Sequence, residues 1–165
     1  MHEEKQNLDH LFSAQLDNRV SLAKTGARER KKKLKLLLAT FLEMEGEAEA
    51  ALYADMKKSA TEAGITEVMG IKTEASFAIK NLKKWMKTRR VGSTPAVSFT
   101  RGWIRPEPKG TVLIISPWNY PILLVLNPLI AAVAAGNTAI IKPSEFTPAS
   151  GAFVKKLIEK VFPEN

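Results

Sequence analysis

The residues best suited to binding chemistry lie in two short segments, 116–119 and 142–145, and each segment follows a run of apolar residues. The first ends with the amide of Asn119, and the second carries an ammonium group on Lys142 and a carboxylate on Glu145. Amide and ammonium groups donate hydrogen bonds and a carboxylate accepts them, so this set could hold a polar ligand. Structural explanations also exist, because Asn is common at helix starts and charged residues are common at strand ends.

A β-α-β-α unit is predicted around these segments. The interior of 111–116 is continuously apolar and mostly β-branched, as in a parallel strand covered on both faces. A helix follows over 122–135. Pro121 supplies the fixed φ suited to its first turn, and Gly136 ends it at a position that tolerates positive φ.

The second half of the unit is a strand over 138–142 and a helix over 149–161. Thr147 is the expected N-cap, Pro148 the first helical residue and Pro163 the stop. A strand-helix-strand connection of this length gives parallel strands with a right-handed crossover. Both polar segments are therefore expected at one edge of the sheet, which is where open α/β sheets bind ligands.

Distinct motifs occur in and around this unit: Pro-Trp-Asn-Tyr-Pro at 117–121, Ala-Gly-Asn at 135–137, Ile-Lys-Pro-Ser-Glu at 141–145 and Ala-Leu-Tyr-Ala-Asp at 51–55. Their order and spacing closely resemble the N-terminal portion of the aldehyde dehydrogenase superfamily. The residue identities in these motifs are most similar to those of the class 3 or fatty-aldehyde branch. The resemblance is strong from 105 to 163 and looser from 34 to 85.

The resemblance implies an α/β fold in which N-terminal amphipathic helices precede an arm-like strand or hairpin and the first β-α-β-α unit of a Rossmann-like cofactor domain, here truncated. We expect an N-terminal helical segment (1–90), an arm-like strand or linker (91–109) and an incomplete dinucleotide-binding domain (110–165). Family members are several times longer than these 165 residues. The helix over 122–135 is apolar nearly all round, so we expect it to need cover from parts of the enzyme that this chain lacks.

Apolar periodicity predicts three helices in the N-terminal segment. The first covers 8–23, a long second helix covers 34–56, and a third runs over 61–86 with Gly64 and Gly70 weakening its beginning. These helices carry no catalytic constellation.

The arm is predicted from partial alternation over 97–105, where Val97, Phe99 and Trp103 lie on one face of a strand or half-hairpin. Gly102 hints at a bulge, and 87–95 is predicted to be a basic loop. In the family the matching segment belongs to an oligomerisation arm, so the resemblance implies a homo-oligomer, a dimer, in the full-length enzyme.

By resemblance, the Asn119 amide donates to the oxyanion that forms when a cysteine thiolate attacks the aldehyde substrate. Lys142 and Glu145 are similar to the pair that hydrogen-bonds the adenosine ribose of NAD or NADP, because an ammonium donates to ribose hydroxyls and a carboxylate accepts from them. Tyr120 is expected to face the aldehyde tunnel. The remaining residues implied in the cofactor groove, beside Asn119 itself, are Ser116, Pro117, Trp118, Pro143 and Ser144.

These roles imply NAD(P)-dependent oxidation of an aldehyde to a carboxylic acid in the intact enzyme. The chain contains no cysteine, and by resemblance the general base lies beyond Asn165, so this chain alone is expected to be inactive. One alternative is a non-catalytic protein that associates with full-length dehydrogenase subunits. A weaker alternative is a basic helical module that binds anionic membrane or nucleic acid.

The formal net charge is +8, and six of the eight residues in 28–35 are basic. We interpret this run as a solvated helix face because no base-stacking aromatic residues are interleaved, so nucleic-acid binding is not expected, whereas peripheral membrane contact stays open. The apolar run 122–135 is too short to span a bilayer. Because the chain lacks cysteine and a recognisable signal peptide, we expect a cytoplasmic location. No metal site is predicted.

Overall fold

The computed structural model describes the backbone of residues 2–162 and the side chains of residues 8–162. Met1, the first residue of the predicted N-terminal helical segment, and Pro163, the predicted stop of the last helix, lie outside the described residues. The helices are α1 (His2–Ala23), α2 (Ala27–Glu43), α3 (Glu45–Met56), α4 (Ala60–Ala63), α5 (Met69–Trp85), α6 (Leu123–Ala135) and α7 (Pro148–Val161). The strands are β1 (Arg89–Val91), β2 (Gly102–Ile104), β3 (Thr111–Ile115) and β4 (Thr138–Lys142). Among the described residues, no helix has both the length and the apolar character that a membrane crossing requires.

β3 and β4 form the predicted parallel pair. Their register runs from Thr111 opposite Thr138 to Ile115 opposite Lys142, and α6 connects them. Pairing continues beyond β3, because the Ser116 amide donates to the Lys142 carbonyl over 3.1 Å. The predicted β-α-β-α unit is confirmed, and both polar segments begin at the same sheet edge.

Gly136 ends α6 in the left-handed region, with φ of +84°. Its amide donates to the Val133 carbonyl at 3.1 Å, and the Asn137 amide donates to the Ala132 carbonyl at 2.9 Å. This pair of hydrogen bonds is the Schellman arrangement of a helix end. The prediction that glycine closes this helix is confirmed.

Arg30 of α2 binds the same end of α6. Its Nη1 donates to the carbonyls of Ala134 and Ala135 at 3.2 and 2.6 Å. Burial lowers the pKa of the guanidinium, and the nearby charge of Glu29 acts in the opposite direction. Arg30 is 6% exposed, so the interpretation of the whole run 28–35 as a solvated face is wrong at this residue. The positive charge is used to complement the negative end of a helix.

α6 is covered by other elements of the same chain. Val125, Leu126 and Ile130 are completely buried, and α6 packs against α2, α5, β3 and β4. α5 comes close to the start of α6 at Gly70, where an added Cβ atom would lie 2.8 Å from Cδ1 of Leu123. The expectation that this helix needs cover from parts that the chain lacks is therefore wrong.

The long helix predicted over 34–56 is two helices, α2 and α3. They meet at Met44, whose φ of −101° and ψ of 13° interrupt the helix and whose side chain is buried. The break changes the partner of the apolar stripe: α2 packs on α5, α6 and α7, whereas α3 packs mainly on α7. Periodicity reports an apolar face but not a change in the surface that it meets.

The hairpin lies partly outside the residues predicted for it. β1 pairs with β2 in an antiparallel register that is continuous through Gly102, so the predicted bulge is wrong and the predicted loop 87–95 contains a strand. Pro95–Val97 is a 3₁₀ turn, and Phe99 is fully exposed. The strand predicted over 97–105 is therefore confirmed for 102–104, which is β2, and wrong for 97–101, where Val97 and Phe99 alternate without being buried.

One face of the β3–β4 sheet is only partly covered. Ile114 is buried, but Leu113 and Ile115 are 61% and 68% exposed, so the expectation of a strand covered on both faces is wrong for β3. α1 lies over the other end of this face, where the Gln15 carbonyl accepts a hydrogen bond from Oγ1 of Thr138 at 3.2 Å.

Replacing Gly136 by Ala is expected to destabilise the chain. A left-handed backbone costs a residue other than glycine about 1–3 kcal/mol, and the new Cβ would lie 2.3 Å from Cζ of Arg30. Gly46→Ala is the matched control, because nothing lies within 4 Å of a Cβ there and alanine favours a helix by about 0.5–1 kcal/mol. Denaturant titration measures both free energies of unfolding. Equal midpoints for Gly136→Ala and the wild type would contradict this account of the helix end.

Candidate functional site

The first polar segment borders a cavity of about 600 Å³, together with the turn between α3 and α4. The lining residues come from three parts of the chain: Asp55, Met56, Lys58, Glu62, Trp118, Asn119, Tyr120, Phe146 and Thr147. Trp118, Asn119 and Tyr120, all predicted site residues, therefore share one cavity. The second polar segment, 142–145, does not line this cavity. It lies next to the cavity, at the sheet edge where β3 and β4 both end.

The start of α6 is held by a buried carboxylate from another helix. Glu67 lies in the π-helical turn Gly64–Val68, which joins α4 to α5, and it is 1% exposed. Its Oε2 accepts hydrogen bonds from the amides of Ile122 and Leu123, both at 3.0 Å. A carboxylate in this place also complements the positive end of the helix dipole. Glu67 rather than Asn119 caps α6, so the explanation of Asn119 as an N-cap is wrong, whereas its other structural explanation, a bend residue just before the helix, agrees with its position.

The π-helical turn explains why the sequence did not reveal Glu67. The wider turn changes the helical phase, so Ile65, predicted to lie on the apolar stripe, is 60% exposed whereas Glu67 is buried. The available signal was a charged residue placed between the apolar Ile65 and Val68, three residues after Gly64.

Lys58 compensates the buried charge of Glu67. Its Nζ lies 2.6 Å from Oε1 of Glu67, and the two side chains are 9% and 1% exposed. The same Nζ donates to the Asn119 carbonyl at 3.2 Å and lies 4.4 Å from the ring centroid of Tyr120. Lys58, which no sequence motif had indicated, therefore contacts two predicted site residues.

Asp55 holds the start of α7 in the same way. Its Oδ1 accepts from the Ala149 amide at 3.1 Å and its Oδ2 from the Ser150 amide at 2.7 Å. Thr147 occupies the N-cap position, as predicted, but its side chain makes no capping hydrogen bond, and Asp55 supplies the oxygen atoms that bind the first amides. Asp55 ends the segment 51–55, which had contributed to the resemblance without an assigned role.

Lys142 and Glu145 face each other at the end of β4. Lys142 Nζ lies 2.5 Å from Glu145 Oε2, and both side chains are more than half exposed. The hydrogen bond from Lys142 is the main cause that lowers the pKa of Glu145, and a backbone hydrogen bond and the charge of Lys142 act in the same direction.

Ser116 adds an unsatisfied hydroxyl beside this pair. Its amide is bonded to the Lys142 carbonyl, its side chain is buried, and within residues 8–162 its Oγ has no hydrogen-bond partner. Because the Ser116 Oγ is buried, the groups that this sheet edge presents to a ligand are the exposed donor Lys142 and the exposed acceptor Glu145, which suit ribose hydroxyls because these both donate and accept.

The remaining predicted residues differ in exposure. Pro117 is exposed and Pro143 is half-buried, while Trp118 and Tyr120 are 57% and 37% exposed. Ser144 is buried, and its Oγ accepts a hydrogen bond from the backbone amide of Phe146 at 3.3 Å. No group of three or more side chains that could hold a metal ion occurs in the described part of the chain.

Comparison with known proteins matches residues 2–165 to the aldehyde dehydrogenase family model. The 4,4'-diaponeurosporen-aldehyde dehydrogenase of Staphylococcus aureus is 47% identical over 137 residues, which cover 82% of this chain and 30% of that protein. Aldehyde dehydrogenase family 3 member B1 of Homo sapiens is 44% identical over 114 residues, which cover 69% of this chain and 24% of that protein. The chain thus spans 30% or less of the length of these two relatives.

Solved structures agree with this match. The substrate-bound state of Staphylococcus aureus AldH has a TM-score of 0.91 and 39% identity, and the match covers 95% of this chain and 34% of that one. A succinic semialdehyde dehydrogenase from Streptococcus pyogenes, solved in complex with NADP+, shares the fold at a TM-score of 0.84 and 18% identity, over 94% of this chain and 33% of that one. The predicted α/β fold class is confirmed.

The Lys142→Met variant is expected to raise the pKa of Glu145, because it removes the hydrogen bond and the charge that keep this carboxylate ionised. The pair favours the folded state above the ordinary pKa of Glu, and this contribution is lost as the pH falls through the lowered value. Lys156→Met is the matched control, since it removes the corresponding partner of Glu47. NMR titration should show each variant shifting only its own carboxylate. A Glu145 pKa that does not respond to Lys142→Met would contradict the pairing.

Proposed function

The chain belongs to the aldehyde dehydrogenase family, and we propose that within a full-length enzyme it takes part in NAD(P)-dependent oxidation of an aldehyde to a carboxylic acid. Its contribution is Asn119, as the donor to the developing oxyanion, and the Lys142–Glu145 pair, as partners of the cofactor ribose. The observation that carries this proposal is the position of Asn119. Its side chain is exposed on the cavity wall, while Glu67 supplies the capping that Asn119 could otherwise have provided.

A side-chain amide suits the task proposed for Asn119. It donates a hydrogen bond to the aldehyde oxygen as negative charge develops there, and it is too weak an acid to give up its proton. Its backbone is fixed, because Lys58 binds the Asn119 carbonyl and the Tyr120 carbonyl accepts the Leu124 amide of α6. A preorganised donor of this kind needs no rearrangement when the charge forms.

The sheet edge supplies the proposed cofactor contacts. Lys142 donates to ribose hydroxyls and Glu145 accepts from them, and both side chains are exposed at this edge. The dinucleotide supplies the hydride acceptor of the reaction. Because an ammonium also attracts a 2′-phosphate, Lys142 is compatible with either NAD or NADP as the cofactor of the full-length enzyme.

The chain provides only part of the reaction machinery. It contains no cysteine, so the thiolate nucleophile and the general base of the proposed reaction come from the remainder of the full-length enzyme, and the chain alone is inactive. The segment boundaries at 90 and 109 and the cytoplasmic location stay predictions.

Association with other dehydrogenase subunits is the second candidate function, and exposed apolar residues favour it. Leu113 and Ile115 are uncovered on the sheet, Phe99 is uncovered beside the hairpin, and Leu8 and Phe12 are uncovered on α1. Exposed apolar surface of this kind is typical of interfaces. Homo-oligomerisation of the full-length enzyme uses the same chemistry and is part of this proposal.

Asn119→Ala in a full-length enzyme that carries this chain is expected to lower kcat by about 10²–10³-fold, because one oxyanion donor is lost. The KM for the dinucleotide should stay close to that of the wild type. Asn119→Asp, which keeps the shape but places a carboxylate beside the oxyanion, should lower kcat at least as much. Steady-state kinetics with a saturating aldehyde measure both parameters.

The variant that carries both Lys142→Ala and Glu145→Ala tests the proposed ribose contacts and is compared with Asn119→Ala. It should raise the KM for the dinucleotide and affect kcat much less. Full activity in Asn119→Ala would exclude the oxyanion role, and an unchanged dinucleotide KM in the double variant would exclude the ribose role.

A further inference from the structure

We propose that Lys58 is a positioning residue that holds Asn119 in the orientation needed to donate to the oxyanion, with Glu67 fixing the ammonium group. This inference rests on the proposed function of Asn119. Lys58 acts through the backbone of Asn119 and not by touching the substrate, so its effect belongs to kcat rather than to binding of the dinucleotide.

The contacts of the ammonium group carry the argument. Nζ donates to Oε1 of Glu67 at 2.6 Å and to the carbonyl of Asn119 at 3.2 Å, and the ring of Tyr120 lies 4.4 Å away. An ammonium group has three donors and no acceptor. Two of them are therefore used by oxygen atoms and the remaining direction faces an aromatic ring, which attracts a cation.

Lys58 is itself fixed from both sides along the chain. Lys57 adopts a left-handed conformation with φ of +59° at the end of α3. Ser59 caps α4 by accepting the Glu62 amide on Oγ at 3.2 Å. The turn between the two helices thus sets the direction from which Lys58 reaches Asn119.

Burial argues for a geometric role. The Lys58 and Glu67 side chains are 9% and 1% exposed. A buried ion pair can often be replaced by apolar residues without loss of stability, whereas removal of one partner leaves an uncompensated charge. The pair is therefore weak evidence for stability, but it fixes the position of every group that it touches. Those groups are the Asn119 carbonyl, the Tyr120 ring and the first amides of α6.

The test uses variants of a full-length aldehyde dehydrogenase that carries this chain. Lys58→Met should lower kcat by about tenfold to a hundredfold, which is the range for a displaced catalytic group, and should leave the KM for NAD near the wild-type value. Lys58→Arg, which keeps a charged donor, should recover part of the lost kcat. Lys156→Met is the matched control, because this exposed lysine pairs only with Glu47 among the described residues, and its kcat should equal that of the wild type.

Lys58→Met alone also leaves Glu67 as a buried charge, so a double variant separates positioning from stability. Lys58→Met combined with Glu67→Gln removes both charges. Thermal unfolding should show recovery toward the wild-type midpoint, while kcat should stay low because the Asn119 carbonyl remains without its ammonium donor. Recovery of kcat together with the unfolding midpoint would overturn the proposal and assign the pair to stability alone.

A cycle with Asn119→Ala tests whether Lys58 acts through Asn119. In that background Lys58→Met should lower kcat little further, because the group that it positions is already absent. An equal loss of kcat in both backgrounds would overturn the positioning role while leaving the proposed function of Asn119 intact. Wild-type kcat in Asn119→Ala itself would overturn both.

Discussion

The arrangement of the site depends on one buried carboxylate, that of Glu67. An isolated charge in a protein interior costs several kcal/mol, and it persists here because three donors surround it. The amides of Ile122 and Leu123 bind one oxygen atom and Lys58 binds the other. These hydrogen bonds join the π-helical turn before α5 to the start of α6, and through Lys58 they reach the Asn119 carbonyl. The cavity wall is therefore built from the N-terminal helices as much as from the sheet edge.

Charged side chains of the N-terminal helices hold the β-α-β-α unit at two more helix ends. Asp55 binds the first amides of α7, and Arg30 binds the last carbonyls of α6. Each uses the charge that complements its helix end, a carboxylate at an N-terminus and a guanidinium at a C-terminus. The apolar core runs through the same elements and includes Leu34 of α2, Ile71 of α5 and Leu126 of α6. The helices and the unit therefore form one packed body.

Local sequence signals predicted the unit well, because its strands and helix ends depend on neighbouring residues. Runs rich in β-branched residues correctly predicted β3 and β4, and Gly136 correctly predicted the end of α6. The caps supplied by Glu67, Asp55 and Arg30 could not be found in this way, since their partners lie 55, 94 and 104 residues away in the chain. The roles given to Asn119, Lys142 and Glu145 came from family resemblance and stay predictions.

Amide hydrogen exchange in the wild-type chain tests the central claim most directly. The first amides of a helix have no intrahelical partner, so the hydrogen bonds that protect the amides of Ile122 and Leu123 are those to Glu67. We expect both amides to exchange about tenfold to a hundredfold more slowly than that of Arg28 at the exposed start of α2, consistent with hydrogen bonds to a charged group. Exchange of Ile122 and Leu123 as fast as that of Arg28 would contradict the account.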